Sequence, residues 1–124
     1  MISIMIHADR SNYYFMTMLT PDHKVIGFFD LYHGYPVQET VWIGMFLIDQ
    51  GIQARGYGKE VIASLCDACK EEGWASVGLA VHLKNWKGIR FWSRNGFDTI
   101  TGIYGDKSYG DNAFSIMGLK RELL

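Results

Sequence analysis

The stretch Ile48-Asp49-Gln50-Gly51-Ile52-Gln53-Ala54-Arg55-Gly56-Tyr57-Gly58-Lys59 decides how this chain is read. Before it stands the longest apolar run in the sequence, Val41-Trp42-Ile43-Gly44-Met45-Phe46-Leu47-Ile48, which has the character of a buried strand. After it, Val61, Ile62, Leu65, Cys66 and Cys69 recur three and four residues apart, as on one face of a helix. The glycines therefore fall where a strand hands over to a helix. Gly56 and Gly58 allow a tight turn there, and their missing Cβ atoms let a ligand come close. The first helical N–H groups have no partner inside the helix and lie at the positive end of its dipole. Such a junction is an anion site suited to phosphate.

Two familiar phosphate loops do not fit. A P-loop requires Ser or Thr after Gly-Lys, but Gly58-Lys59 is followed by Glu60, and Gln53 stands five before Gly58. A dinucleotide fingerprint requires a third glycine where Val61 stands. What remains is Q-x-x-G-x-G, as Gln53-Ala54-Arg55-Gly56-Tyr57-Gly58, between a strand and a helix. This resembles the acyl-CoA signature of the Gcn5-related N-acetyltransferases (GNAT family). Downstream, Asn85-Trp86-Lys87-Gly88-Ile89-Arg90-Phe91-Trp92-Ser93-Arg94-Asn95-Gly96-Phe97 resembles the family's second signature, N-x-x-A-x-x-F/Y-Y-x-x-x-G-F. Asn85, Phe91, Gly96 and Phe97 fit it, while Gly88 replaces the usual alanine and Trp92 the usual tyrosine. The two matches span about residues 41 to 119.

The 124 residues suit a single domain over 1–124 with a core of its own. With 48% apolar and 15% aromatic residues the chain is not disordered. A formal charge of −1 without a basic cluster argues against nucleic acid as a partner. No apolar run approaches the ~20 residues of a membrane helix, and Met1 to His7 lacks the pattern of a signal peptide, so a cytoplasmic protein is the expectation. Cys66 and Cys69 form C-x-x-C in the middle of the helical stripe. Without two more ligands nearby they read as reduced core residues, and no metal is expected.

Residues 12 to 20 and 25 to 32 read as a hairpin of aromatic and β-branched strands about the turn Pro21-Asp22-His23-Lys24. A third strand runs from about Thr40 to Ile48, and the helix from about Tyr57 to Glu72 stops at Gly73. Alternation over 75 to 83 predicts a strand. Asn85 caps a short helix over 86–95, ended by Gly96. Strands at about 97 to 104 and 112 to 119 follow. The order is ββββαβαββ or βββαβαββ, a mixed α/β (α+β) fold with helices flanking a largely antiparallel sheet. By resemblance, that sheet splays at the strands ending near Ile48 and Leu83.

The resemblance implies that acetyl-CoA is the acyl donor and an amine the acceptor, joined by direct attack on the thioester. The pyrophosphate would rest on the N–H groups of Arg55 to Lys59, in the loop that begins with Gln53 and Ala54. The pantetheine arm would lie along Phe46, Leu47 and Ile48, and Asn85 would bond it across the split, beside or in addition to capping the helix. The family's acid tyrosine is replaced by Trp92, whose indole donates a hydrogen bond but no proton; it is expected to pack on the CoA arm. Tyr104 and Tyr109 are the other phenols near this point. His82, at the end of the strand facing the split, is the base candidate by chemistry, against a plain surface histidine. Glu39 reads as a solvated strand-end charge. Only about eleven residues precede Asn12, room for a stub or one short strand (Ile2 to Ile6), where family members usually carry two helices that wall the acceptor site. The acceptor pocket is therefore expected to be open or completed by a second subunit, and a homodimer is expected. The rival from another class is an acyl-CoA-binding or interaction module with little catalysis.

Overall fold

The computed structural model describes residues 3–10, 12–49, 56–106 and 114–124. Nine elements follow in the order β1 (Ser3–Arg10), β2 (Tyr13–Leu19), β3 (Val25–His33), β4 (Thr40–Ile48), α1 (Tyr57–Glu71), β5 (Ser76–His82), α2 (Trp86–Arg94), β6 (Thr99–Gly105) and β7 (Ser115–Glu122). This is ββββαβαββ, the longer of the two orders read from sequence. The first strand runs further than a stub, and only residues 11 and 12 separate it from β2, so no helix intervenes.

The strands form one sheet in the order β1-β2-β3-β4-β5-β7-β6. All neighbours are antiparallel except β4 and β5. Those two need the crossover through α1 because they run the same way.

Period-two alternation sorts the side chains onto two unlike faces. On one, Met16, Met18, Phe29, Leu31, Val41, Ile43, Val77 and Leu79 are buried. Helix α1 packs there through Val61, Ile62, Cys66 and Cys69, and α2 through Trp92. Burying a side chain such as Phe29 is worth about 1.5–3 kcal/mol, so this layer supplies most of the stability. The opposite face carries Phe15, Tyr32, Trp42, Met45 and Leu47, and among the described residues no helix covers it. Tyr32, Met45 and Leu47 are exposed there.

Both helices end alike. In α1, Gly73 adopts φ 92° while Trp74 N–H donates to Cys69 O and Gly73 N–H to Lys70 O. In α2, Gly96 adopts φ 91° while Phe97 N–H donates to Trp92 O. These are Schellman closures, which need glycine because the left-handed region penalises a Cβ. They also aim the fully buried Phe97 back under α2.

Cys66 and Cys69 are free and buried in the stripe where they were expected. Burial raises the Cys66 thiol, against the pull of the Arg121 charge. Burial also pushes the Cys69 thiol up from 9.0 to about 12, with Cys66 and then Glu72 adding to the effect. Between those values the folded chain keeps the Cys69 proton and the unfolded chain releases it, so stability falls as pH rises through that window. Cys69→Ala should therefore start less stable yet lose stability less steeply from about pH 9 upward. Urea unfolding of both proteins across that range tests this; parallel slopes would refute it.

Candidate functional site

The β4–β5 pairing lasts only from Thr40↔Ser76 to Ile43↔Leu79. At its closed end the buried hydroxyls of Thr40 and Ser76 bond at 2.9 Å. At its open end the register of β3 against β4 jumps from Leu31↔Ile43 to Asp30↔Met45, leaving Gly44 as an extra residue. This bulge turns β4 away from β5 and shifts the side-chain alternation by one. Phe46 and Ile48 therefore stay on the helix face, while Met45 and Leu47 point to the bare one.

The split leaves a cleft of about 180 Å³ whose lining includes Gly44, Phe46, Ala80, His82, Asn85 and Trp92. Beyond Ile43, the edge of β4 that would have met β5 has no strand beside it among the described residues, and β4 lines the cleft there from Gly44 to Phe46. The Phe46 ring itself is structural, 5.3 Å from Trp92 and 5.8 Å from Phe29. Trp92 is buried, edge-on to Phe46, Phe91 and Phe97, and presents an apolar wall. Among the described residues, His82 and Asn85 bring polar side chains to this lining beside the Trp92 indole N–H.

Asn85 caps α2, its Oδ1 accepting from Gly88 N–H at 2.9 Å. That leaves its amide NH₂ as the group able to donate. A Cβ on Gly88 would run into the Asn85 amide, so the glycine in place of the usual alanine suits this close seating. His82 Nδ1 accepts from Lys84 N–H at 3.1 Å, which puts the proton of the neutral ring on Nε2. The His82 ring is also edge-on to Phe114 at 5.5 Å.

The two glycines at the start of α1 do different work. Gly56 caps the helix at φ 80° and offers no side-chain oxygen, and among the described residues nothing lies within 4 Å of where its Cβ would stand. The first-turn N–H groups have no partner inside the helix and stand at the positive end of its dipole. Gly58 is buried, and a Cβ there would come within 3.1 Å of Ile48 Cδ1 and of the Phe91 ring. Its bareness lets β4, α1 and α2 meet, a packing role beside the ligand role expected of it. Tyr57 is half-buried and Lys59 exposed on the first turn. Gln53, Ala54, Arg55 and Tyr109 lie outside the described residues.

A second cavity of about 460 Å³ opens on the bare face, with Tyr35, Trp42, Gly78, Ala80, Tyr104 and Lys120 in its lining. Ala80 borders both spaces, so the cleft and the cavity adjoin. The Tyr104 hydroxyl lies over Gly102, in the lining of the cavity and not in that of the cleft. Glu39 is exposed, as expected for a solvated strand-end charge. Two features escaped the sequence reading. Gly44 signalled its bulge only as a lone glycine in a strand. Asp30, a lone acid in an apolar strand, is buried.

A parallel pair opened by a bulge, beside a glycine-capped helix start, invites comparison with known proteins. Residues 3–97 match the acetyltransferase (GNAT) family. The chain belongs to that family. GNAT structures share its fold at low identity. A Bacillus subtilis acetyltransferase in complex with CoA superposes with a TM-score of 0.79 at 15% identity, covering 100% of each chain. A GNAT family acetyltransferase from Elizabethkingia anophelis with acetyl-CoA bound gives 0.80 at 14% identity, covering 98% of each. The ribosomal-protein-S18-alanine N-acetyltransferase of Escherichia coli gives 0.77 at 15%, covering 99% of this chain and 94% of that one. No curated protein sequence matches. Among the described residues no group of acidic, histidine and cysteine side chains is arranged to hold a metal.

The different roles of the two glycines can be read from coupling. Gly58→Ala should cost about 1–3 kcal/mol through overpacking, and Phe91→Leu should relieve part of that cost. Gly56→Ala should cost about 1–2 kcal/mol through its backbone alone and show no coupling to Phe91. Equal coupling of both glycines in urea titrations would contradict the assignment.

Proposed function

We propose that this chain is an N-acetyltransferase that carries an acetyl group from acetyl-CoA to a primary amine. The observation that carries the reading is the β4–β5 split, whose cleft adjoins a separate cavity at Ala80. The pyrophosphate rests on the helix start at Gly56 to Lys59, with Gln53, Ala54 and Arg55 completing the loop. The pantetheine arm lies as an added strand along Phe46, Leu47 and Ile48, receives the Asn85 amide, and packs on Trp92. The amine nitrogen enters from the cavity and attacks the thioester carbon. A C–N bond forms, the C–S bond breaks, the amine proton passes to water, and CoA leaves as the thiolate or thiol.

With Trp92 where a phenol is usual, proton delivery to sulfur falls to His82, Tyr104 or water. The Lys84 N–H on His82 Nδ1 favours His82 as a donor through Nε2 rather than as the base its chemistry alone suggested. A thiol ionises near pH 8.5, so a thiolate can also leave unaided, and losing a positioned acid costs ~100-fold or more. Slow turnover is therefore expected. His82→Gln and Tyr104→Phe separate the donors: the one that acts lowers kcat at unchanged acetyl-CoA affinity. Trp92→Tyr should raise kcat if the phenol reaches the sulfur.

Trp92 also favours a second reading, an acyl-CoA-binding module without turnover. CoA release with a panel of amines decides between them, because a binder shows affinity without product. Gly56→Val should abolish acetyl-CoA binding by calorimetry while the protein stays folded; unchanged affinity would remove the site itself.

A homodimer through the bare face is part of the proposal, supported by the exposed Tyr32, Met45 and Leu47. Sedimentation showing only monomer at tens of micromolar would discard it. A cytoplasmic setting is proposed as well, in keeping with two free thiols. Among the described residues no helix is long and apolar enough to cross a membrane.

A further inference from the structure

Asp30 sits in the middle of β3 on the bare face and is only 7% exposed. Its Oδ2 accepts from the Tyr13 hydroxyl at 3.0 Å. Its Oδ1 is buried and accepts from nothing among the described residues. A carboxylate can accept about four hydrogen bonds, and leaving one oxygen buried and empty is costly. The direction in which that oxygen points is informative. A Cβ built on Gly44 would stand 2.6 Å from Oδ1 and 2.9 Å from Cε1 of Tyr32. The vacant oxygen thus lies against the bulge glycine, which itself lines the cleft.

Aromatic rings continue from this point. Tyr13 and Tyr32 are 4.8 Å apart, Tyr32 and Tyr35 are 6.3 Å apart, and Tyr35 meets Trp42 edge-on at 5.3 Å. Tyr35 and Trp42 reach the larger cavity. One row therefore joins a buried anion to an apolar space, and ring faces attract cations as the carboxylate does. An anionic ligand would be repelled by Asp30. A neutral apolar ligand would leave Oδ1 as empty as before.

We propose that Asp30, with Tyr13 and Tyr32 around it, is the subsite for the ammonium group of the acceptor, and that Tyr35 and Trp42 receive that molecule's apolar body. The acceptor class is then a primary alkylammonium bearing an apolar or aromatic group. The role of acceptor rests on the acetyl-transfer reading above, whereas the binding of the cation does not. Binding there requires Tyr32, 36% exposed, to swing aside from Oδ1 and then lie over the charge.

The test uses two probes of one shape, 2-phenylethylammonium and 2-phenylethanol, titrated into the CoA-loaded protein at neutral pH by calorimetry. The wild type should prefer the ammonium by roughly tenfold or more, the scale of a charged hydrogen bond. Asp30→Asn, which keeps the shape and the Tyr13 contact, should erase that preference and leave the alcohol's affinity within about threefold. CoA affinity reports whether the variant is folded. If it is not, Tyr32→Leu should weaken the ammonium severalfold and spare the alcohol. A wild type that binds both probes equally, or an Asp30→Asn protein that still prefers the cation, overturns the proposal. Cation binding that depends on Asp30 without any N-acetylated product supports the subsite and removes the acetyl-transfer reading instead. Acetylation of the amine at unchanged KM in Asp30→Asn does the reverse.

Discussion

The architecture hangs on a parallel pairing that is allowed to fail. β4 and β5 hold together over Thr40–Ile43 and Ser76–Leu79, pinned at one end by two buried hydroxyls. At the other end an extra residue ends the match. Had the ladder continued, the free edge of β4 beyond Ile43 would have spent its backbone groups on β5, and the sheet would be closed where the cleft now lies. The bulge also keeps Phe46 beneath the helices, so opening the backbone does not expose the ring that seals it. Trp92 and Gly58 then hold the helices close to the opening. One local irregularity thus serves both the cleft and the core behind it.

The second constraint is the unequal cover of the sheet. The helix face follows ordinary core economics, with Cys66 and Cys69 acting as small apolar residues. On the other face, β1 turns straight into β2, and no described element shields the aromatic row. That bareness leaves room for the larger cavity. Among the described residues it also leaves the Asp30 side chain with the Tyr13 hydroxyl as its hydrogen-bond partner.

Much of this was legible in the chain because local chemistry dictated it. Alternation over residues 75 to 83 marked β5, Asn85 marked the start of α2, and Gly73 and Gly96 marked helix ends that the left-handed φ values bear out. What stayed hidden depends on partners distant in sequence. The packing role of Gly58 shows only when Phe91, thirty-three residues on, is seen against it. Gly44 within an apolar run does not announce which strand it will release. Asp30 shows in the sequence only as a lone acid in an apolar strand, and its burial beside Tyr13 of the neighbouring strand appears only in the fold. The register of a split sheet is a tertiary property, and no periodicity encodes it.

The same topology bears on how the chain assembles. β1 to β4 pair strictly with their neighbours in sequence, so each hairpin closes a short loop at small entropic cost. β5 has no such route: it docks on β4 only across the whole of α1, and it shares β7 with β6 in an order that departs from the chain. The N-terminal meander is thus the half that forms from local contacts. The C-terminal half must wait for a long closure, rewarded by only a short run of strand pairing and by the burial of α1. A single seam thus divides the half built from local contacts from the half that needs a long closure, and the cleft opens along it.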